Sequence, residues 1–342
     1  MTPFVIPFFI AHQGCPHRCV FCNQRHIAGS AEPGENSITP ESITGEIKTW
    51  LERPRKNPLA PVQVAFYGGS FTGIETLKQQ EYLSAVQPFI ASGRVASIRI
   101  STRPDYIDDR IVQFLKSYKV KIVELGVQSL DDRVLAQSGR GHTAKQVEDA
   151  VELLQHHGFS VGVQLMVGLP GETTKSLFEG VRQVIGMRPD FVRIYPVLII
   201  GDTELEILYN QGRYAPLTLN RAVALTAKMK ERFGRAAIRV VRMGLQPSVS
   251  LEKSVIAGPY HPAFGELVLS RIMFNKTRAV LKGAEAGSGR QQGVHIASVD
   301  ESIFRGPGNV SFKRLASLGL LDNRALVLEP LQERNTVFLS AA

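Results

Sequence analysis

The chain has 342 residues, more than an average domain and enough for one α/β barrel with an appended domain. Hydrophobic residues make up 44% and charged residues 21% of the chain, values that exclude a disordered, collagen-like or coiled-coil protein. No stretch approaches the roughly 20 apolar residues of a membrane span, so we expect no membrane partner. Only three cysteines are present, which excludes a disulfide-built secreted scaffold and predicts a cytoplasmic protein.

The net charge of +9 is unevenly distributed. Residues 1–220 hold 22 basic and 22 acidic side chains, whereas residues 221–342 hold 18 basic and 9 acidic ones. This asymmetry indicates an acidic partner of the last third, with nucleic acid the first candidate. A basic surface that serves only solubility is the alternative.

Short β-branched or aromatic runs alternate with longer segments of helical period over the first 200 residues. The predicted strands are Phe4–Ile10, Val62–Tyr67, Ala96–Ser101, Lys121–Val127, Ser160–Val167 and Phe191–Val197. The predicted helices are Glu41–Leu51, Ile74–Ala91, Ile107–Ser117, Ala144–His157 and Thr173–Met187. Such alternation predicts right-handed βαβ units and a parallel sheet. Six strands predict an α/β protein with a partial (β/α)6 TIM-like barrel, whose chemistry lies at the carboxyl ends of the strands.

The regular alternation fades after residue 200. Leu219–Phe233 and Glu266–Leu281 are predicted as helices, and Ala237–Val241 is predicted as a strand. We therefore expect a partial barrel over residues 1–205 and a smaller, basic α+β C-terminal extension over residues 206–342.

Glycines follow several of the predicted strands. Gly68 and Gly69 follow the second strand, Gly126 ends the fourth and Gly168 follows the fifth. Glycine lets backbone approach a ligand closely, so these positions predict a cofactor site on one rim of the barrel. Ordinary turns between strands and helices are the alternative.

All three cysteines lie within eight residues after the first strand. Cys15, Cys19 and Cys22 have C-x3-C-x2-C spacing, in which three thiolates can each bind one iron of a [4Fe–4S] cluster. The fourth iron then has no protein ligand and is open to a small chelating molecule. A zinc site with His17 or His26 as fourth ligand is the alternative, although zinc sites usually use two separated cysteine pairs. Plain surface thiols are a further alternative.

The motif resembles that of the radical S-adenosylmethionine (SAM) superfamily. The resemblance implies a partial (β/α)6 barrel that carries the cluster on the loop after its first strand. It also implies two cofactors, a [4Fe–4S] cluster and SAM, which the open iron chelates. Reduction then cleaves SAM to methionine and a 5′-deoxyadenosyl radical that abstracts hydrogen from the substrate. The protein supplies orientation and excludes water.

Two segments after the second and third strands are similar to SAM-binding motifs of the superfamily. Tyr67-Gly68-Gly69-Ser70-Phe71 resembles the glycine-rich motif whose backbone holds the SAM amino group, with Ser70 where many members have Glu. The segment from Ser101 to Asp105 resembles the one that faces the SAM carboxylate and ribose. The guanidinium fork of Arg103 suits a carboxylate. An ion pair of Arg103 with Asp105 or Asp108 is the alternative.

The fourth and fifth strands end in two further segments of this kind. Gln128 and Ser129 match positions where an amide and a hydroxyl contact ribose. Met166 and Gly168 lie in a segment that resembles the one flanking adenine, and a core position is the alternative for Met166. The catalytic side chains are not assigned by the sequence. Tyr260 and His261, which precede a predicted helix, are candidates to face a site, and a rigid turn with a packed aromatic is the alternative.

Additional motifs, among them Gly139-Arg140-Gly141-His142-Thr143, resemble the radical-SAM half of the Elongator catalytic subunit over about residues 5–245. That family modifies the wobble uridine of tRNA. The chain departs from it in lacking the acetyltransferase domain and an additional cysteine cluster for a structural metal. Its segment Ala257–Val268 is similar to shorter bacterial Elongator-like radical SAM proteins, whose substrate does not follow from the resemblance.

Three functions are therefore weighed. The first is a radical SAM enzyme that modifies tRNA or another RNA through basic residues 221–342, with an electron donor such as ferredoxin or flavodoxin. Its basic stretches are Lys228, Lys230, Arg232, Arg235, Arg239 and Arg242, then Arg271, Lys276, Arg278 and Lys282 around Phe274 as a stacking candidate. The second is a radical SAM enzyme for a small acidic metabolite such as a porphyrinogen. The third is a non-catalytic iron–sulfur or zinc protein that binds RNA or senses redox state.

Overall fold

A computed structural model of the chain describes residues 3–10, 13–23, 38–283 and 292–340. The chain divides into two compact units. The barrel unit comprises Met1–Thr218 and Phe233–Tyr260, and the second unit comprises Leu219–Arg232 and His261–Ala342. Within the described residues, no helix is both long and apolar enough to cross a membrane.

The barrel unit is built on a parallel sheet whose seven strands follow one another in chain order. They are β1 Phe4–Phe9, β2 Val62–Tyr67, β3 Ser97–Thr102, β4 Val120–Gln128, β5 Ser160–Val167, β6 Phe191–Pro196 and β8 Arg239–Met243. Strands β7 Ile199–Ile200 and β9 Val255–Ala257 form a separate antiparallel pair. The large sheet curls into a half-barrel, which confirms the predicted α/β partial barrel and all six of its predicted strands.

Helices connect the strands of the barrel sheet. They are α1 Pro40–Glu52, α2 Thr76–Ala91, α3 Asp109–Ser117, α4 Asp132–Gln137, α5 Ala144–His156, α6 Thr174–Met187 and α7 Glu204–Asn210. α8 Leu219–Arg235 lies between β6 and β8 in the chain, but its residues Leu219–Arg232 belong to the second unit, and α9 Val249–Ser254 follows β8. Thr39, Thr143 and Thr173 form capping boxes that start α1, α5 and α6. Each threonine hydroxyl accepts from a backbone N–H that would otherwise lack a partner, so the sequence itself sets where these helices begin.

The two faces of the barrel sheet differ in chemistry because successive side chains of a strand point to opposite sides. One face is apolar and buried against the helices, with Val64, Phe66, Ile98, Ile100, Val123 and Val163 among its residues. The other face, here called the concave face, lines the inside of the curl and carries polar side chains, among them Gln63, Tyr67, Arg99, Ser101, Glu124, Arg193 and Tyr195. The inside of the half-barrel therefore presents charged and hydrogen-bonding groups.

The seventh strand corrects the sequence prediction, which placed a strand at Ala237–Val241 in the C-terminal extension. β8 instead pairs in parallel with β6, and Arg242 lies opposite Arg193 in the register. A long connection through β7, α7 and α8 separates the two strands, and this connection hides the continued alternation. The arginines of β8 also make it unlike the apolar buried strands of the sheet.

The second unit has the α+β composition predicted for the extension. It contains α10 Phe264–Gly283, β10 Gln292–Ala297, α11 Glu301–Arg305, α12 Val310–Ser317, β11 Arg324–Glu329 and β12 Val337–Leu339. β10 lies between β11, to which it is parallel, and β12, to which it is antiparallel. Phe274 is buried in the core of this unit with Met273 and Phe304, so its predicted role in base stacking is wrong.

Candidate active site

The loop with the three cysteines is anchored to the barrel by backbone hydrogen bonds. Val20 N–H donates to the carbonyl of Ser138, and Leu205 N–H donates to the carbonyl of Val20. Cys19 is buried in the apolar cluster that holds Val20 and Phe21, while Cys15 and Cys22 are half-buried. Apolar packing thus fixes the middle of the loop and leaves two thiols nearer the surface.

Three glycines bring the cysteine loop against the turn after β2. An ideal Cβ on Gly14 would lie 2.1 Å from the carbonyl oxygen of Ser70, and one on Gly73 would lie 2.2 Å from that of Gly14. A Cβ on Gly69 would lie 2.4 Å from the carbonyl oxygen of Gln13. The two backbone segments are in direct contact, which no side chain would permit. Gly69, predicted to contact SAM, packs its α-carbon against the cysteine loop.

Two arginine side chains, those of Arg103 and Arg140, lie near the thiols of Cys15 and Cys19. Nη1 of Arg140 donates to Sγ of Cys19 at 3.1 Å, and its Nη2 donates to the carbonyl of Gly126. Burial and the neighbouring thiol of Cys19 raise the pKa of Cys15, against the opposing charges of Arg103 and Arg140. Three thiols on one loop beside a buried cation form a donor set that fits an iron–sulfur cluster, because thiolates are its ligands and carry negative charge. Cys15, Cys19 and Cys22 are the residues that would hold such a cluster.

A closed metal site is not assembled in the described part of the chain, where no three His, Cys, Asp or Glu side chains converge on a metal position. The imidazole of His17 packs against Gly141, whose ideal Cβ would lie 2.4 Å from its Nε2. His26, the other imidazole weighed for zinc, falls in the segment outside the described residues. The fit of the cluster therefore rests on its three sulfur donors and their surroundings.

Arg103 is only 3% exposed, and its guanidinium is already bonded. Nε and Nη2 donate to the two carboxylate oxygens of Asp105 at 3.0 and 2.9 Å, and Nη2 also donates to the carbonyl of Arg140. The ion pair weighed from the sequence is thus present, but it is buried. Arg103 holds Arg140 in place beside Cys19, and any contact of Arg103 with SAM must share its guanidinium with Asp105.

Ser70 is fully buried, and its hydroxyl is used within the protein. Its Oγ lies 3.0 Å from Oγ1 of Thr102 and accepts the N–H of Arg103 at 3.4 Å. The backbone of Ser70 contacts both Gln13 and Cys15. Ser70 therefore connects the cysteine loop to the end of β3. Gly68, two residues before Ser70, has φ +97° and makes the turn after β2 that leads to Ser70.

The remaining predicted SAM residues lie at the ends of β4 and β5. Gln128 has φ +70°, a left-handed conformation that is rare outside glycine and asparagine. Gln128, Ser129 and Met166 line one small cavity. Met166 also packs against the apolar cluster around Cys19, so both roles weighed for it are compatible. Gly168, at φ +93°, directly follows β5, and its carbonyl oxygen accepts a hydrogen bond from the hydroxyl of Tyr214 at 2.6 Å.

Glu172 lines the same cavity and was not predicted as a site residue. The N–H of Gly168 donates to its Oε2 at 2.7 Å, whereas its Oε1 is buried without a hydrogen-bond partner among the described residues. Burial raises the pKa of its carboxyl to about 7, although hydrogen bonds from Gly168 and Leu169 oppose the shift. The signal for Glu172 in the sequence is its position shortly after the end of β5 at Val167, directly after Gly171.

The concave face holds a second set of residues that the sequence reading missed. Glu124 is fully buried and pairs with Arg99 of β3 and Arg193 of β6. Such residues can be found from sequence as charges in the middle of predicted buried strands. Nothing in the sequence says, however, that these charges meet. Ser101, predicted to face SAM, lies opposite Glu124 in the register, and its Oγ has no hydrogen-bond partner in the described chain.

Replacing Gly69 by Ala is expected to lower the free energy of unfolding, because the added Cβ would meet the backbone oxygens of Gln13 and Ile10, at 2.4 and 2.6 Å. Gly45→Ala in α1 is the matched control, since its Cβ would enter open space. Helix propensity predicts a gain of up to about 1 kcal/mol for that control. Denaturant unfolding of both variants tests the expectation, and equal effects would contradict it.

Replacing Glu172 by Gln is expected to flatten the pH dependence of stability. The pKa of the folded carboxyl, about 7, exceeds its ordinary value of 4.5, so the folded state binds the proton more tightly. The free energy of unfolding therefore falls as pH rises between these values, by up to about 3 kcal/mol. The Gln variant keeps an acceptor for Gly168 and cannot titrate. Unfolding measured at about pH 5 and about pH 8 compares the slopes, and an unchanged slope would exclude Glu172 as the group responsible.

Comparison with known proteins agrees with this geometry. The family model of the radical SAM superfamily matches residues 9–182, and that of the radical SAM C-terminal domain matches residues 189–273. The chain is 26% identical to a tRNA uridine(34) acetyltransferase of Methanocaldococcus jannaschii over 66% of its own length and 48% of that protein. It is 25% identical to protein YhcC of Escherichia coli over 58% of this chain and 65% of that one.

Among solved structures, the fold is similar to that of Elp3 from the archaeon Methanocaldococcus infernus. The TM-score is 0.60 at 20% identity, over 80% of this chain and 63% of the other. The chain spans about half the length of the tRNA uridine(34) acetyltransferase it matches. Members of the matched superfamily use a [4Fe–4S] cluster and SAM, for which the chain supplies three thiols on the loop after β1. The chain belongs to the radical SAM superfamily and is an enzyme of that family.

Proposed function

We propose that this enzyme cleaves SAM at a [4Fe–4S] cluster held by Cys15, Cys19 and Cys22, and that it modifies a nucleoside of tRNA. The observation that carries the first part is the position of the cysteine loop. It lies in backbone contact with the turn after β2 and beside Arg140, where the carboxyl ends of the strands meet. When bound, the cluster and SAM supply a 5′-deoxyadenosyl radical that abstracts hydrogen from the substrate.

The protein's own residues bind and orient the cofactors. The thiols of the loop ligate three irons, and Arg140 donates to the sulfur of Cys19, which offsets negative charge on the ligand set. The backbone at Gly68, the hydroxyl of Ser129 and the amide of Gln128 are the polar groups offered to SAM. Met166 supplies apolar contact between that rim and the cluster. Apolar packing around Cys19 shields its sulfur from water.

Support for RNA as the substrate comes from the relatives and from the charge. One relative is named a tRNA uridine(34) acetyltransferase. The basic surplus lies in residues 221–342. Arg235 and Arg239 are exposed in the barrel unit, and Arg278 and Lys282 are exposed one helical turn apart on α10 of the second unit. Exposed cations of this kind neutralise phosphates and release counterions.

An external electron donor such as ferredoxin or flavodoxin completes the proposal. The chain contains three cysteines, and one cluster uses all of them. No thiol is then left to hold a second cluster that could pass electrons to the first. Because thiolates and an open cluster need a reducing compartment, we place the enzyme in the cytoplasm.

Each of the variants Cys15→Ala, Cys19→Ala and Cys22→Ala is expected to lose the cluster and SAM cleavage. Iron content, visible absorbance and release of 5′-deoxyadenosine after anaerobic reconstitution and reduction measure both. His17→Ala is the discriminating control, because a three-cysteine cluster keeps its iron without that imidazole, whereas a zinc site with His17 as fourth ligand loses its metal. Reconstituted protein that binds zinc and remains colourless would refute the proposal.

The salt dependence of tRNA binding tests the RNA assignment. Each phosphate contact contributes a slope of about 0.7–0.9 to the decrease of log affinity with log salt. The double variants Arg235→Gln/Arg239→Gln and Arg278→Gln/Lys282→Gln should each reduce that slope by about 1.5. Filter binding over a salt series provides the measurement, and exposed Arg182 changed to Gln is the control.

Nucleoside mass spectrometry of cellular RNA incubated with the reduced enzyme and SAM identifies the product. Two results would remove the physical support for RNA as the substrate. One is a salt slope of tRNA binding that equals the wild-type value in both double variants, and the other is tRNA binding no tighter than that of another polyanion of matched charge. A change among small metabolites with unchanged RNA would favour the small acidic substrate instead.

A further inference from the structure

Three charged side chains meet inside the half-barrel. Nη2 of Arg99 lies 2.6 Å from Oε1 of Glu124, and Nε of Arg193 lies 2.6 Å from Oε2 of the same carboxylate. The residues come from β3, β4 and β6. Arg193 lies across β5 from Glu124, and the residue of β5 opposite Glu124 in the register is Gly162, against which the ring of Phe191 packs. We call these three residues the concave cluster.

The concave cluster carries more positive than negative charge. Two guanidinium groups share one carboxylate that is fully buried, and Arg99 is only 7% exposed. The hydroxyls of Tyr67 and Tyr195 accept from Arg193 at 3.3 and 3.5 Å. Burial and the charge of Glu124 raise the pKa of Tyr67, so this phenol stays neutral and contributes no negative charge. Arginine does not lose its proton in proteins.

Arg242 and Ser101, which neighbour the concave cluster, do not neutralise its excess positive charge. Arg242 lies opposite Arg193 in the register, and among the described residues its hydrogen bonds go to neutral acceptors, the carbonyl of Gly244 and the amide oxygen of Gln246. Ser101 lies opposite Glu124, and its buried hydroxyl has no hydrogen-bond partner within the described residues. A buried charge is costly unless it is paired, and a buried hydroxyl without a partner is costly as well. Both costs fall when an anion binds between these groups.

We propose that the concave cluster binds an anionic oxygen group of the substrate, a carboxylate or a phosphate. Arg193 determines this specificity through the N–H groups of Nη1 and Nη2, since its Nε faces Oε2 of Glu124, and Ser101 donates a hydroxyl to the same anionic group. The proposal rests on the proposed function in taking the inside of the half-barrel as the place of the substrate. Beside the cluster, the rings of Tyr67 and Phe9 lie 6.3 Å apart, and Phe9 is 48% exposed. A planar group attached to the anion therefore has an aromatic wall to contact.

Calorimetric titration of the reconstituted full chain with four probes tests this inference at fixed ionic strength. The probes are uridine 5′-monophosphate, inorganic phosphate, malonate and uridine. We expect the three anions to bind more tightly than uridine, by at least tenfold for the best of them. If the anionic group belongs to a nucleotide, uridine 5′-monophosphate should bind more tightly than malonate. If it belongs to a small carboxylate, malonate should bind more tightly than the monophosphate.

Arg193→Gln is the decisive variant, with Arg182→Gln on the exposed face of α6 as its matched control. Arg193→Gln leaves Glu124 paired with Arg99 in a neutral pair, so the fold should persist, and thermal melting checks this. Its affinity for the best anion should fall at least tenfold, whereas the control should bind as wild type does. Should Arg193→Gln not fold, Ser101→Ala serves instead, because it changes no charge and should weaken the same anion about threefold.

Failure of all three anions to bind wild type would overturn the inference, as would equal binding by Arg193→Gln and wild type. An affinity that chloride matches at equal concentration would also overturn it. These measurements need neither reductant nor RNA. Anion binding without any modified tRNA would therefore refute only the proposed function, and modified tRNA without anion binding would refute only the concave cluster as an anion site.

Discussion

The direct contact between two backbone segments, the cysteine loop and the turn after β2, is the constraint on which the candidate site depends. It exists because Gly14, Gly69 and Gly73 have no side chains at the points of contact. The contact brings Cys15 to Ser70, and Ser70 to the end of β3 through Thr102. The position of the thiols is thus set by the parallel sheet itself, whose strands all end at the same rim.

Two arginine systems follow from this arrangement, and they differ in how their charge is balanced. At the rim, Arg103 is matched by Asp105 and positions Arg140 against the sulfur of Cys19, so one cation faces the buried thiol of the cysteine loop. In the concave cluster, Arg99 and Arg193 share the single carboxylate of Glu124. Desolvation of an ion costs several kcal/mol in a protein interior, so a surplus charge at either place lowers the stability of the fold unless a negative group offsets it.

The basic surplus of the chain is divided between the two units and has more than one use. Arg242 is half-buried and bonded at the end of β8, whereas Arg235, Arg239 and Arg278 are exposed. Lys230 is half-buried, and burial together with the charge of Lys276 lowers its pKa. Counting basic residues along the chain cannot separate these cases, because exposure depends on which face of a strand or helix the fold covers.

The sequence by itself determined what is local. The spacing of Cys15, Cys19 and Cys22, the β-branched runs of the six predicted strands and the threonine caps all act within a few residues, so they can be read from the chain. The tertiary structure alone decided which distant groups meet. Arg140 and Cys19 are 121 residues apart, and Arg193 and Glu124 are 69 apart. The pairing of β8 with β6 and the burial of Phe274 likewise follow from long-range packing, which residue types and their periodicity do not encode one segment at a time.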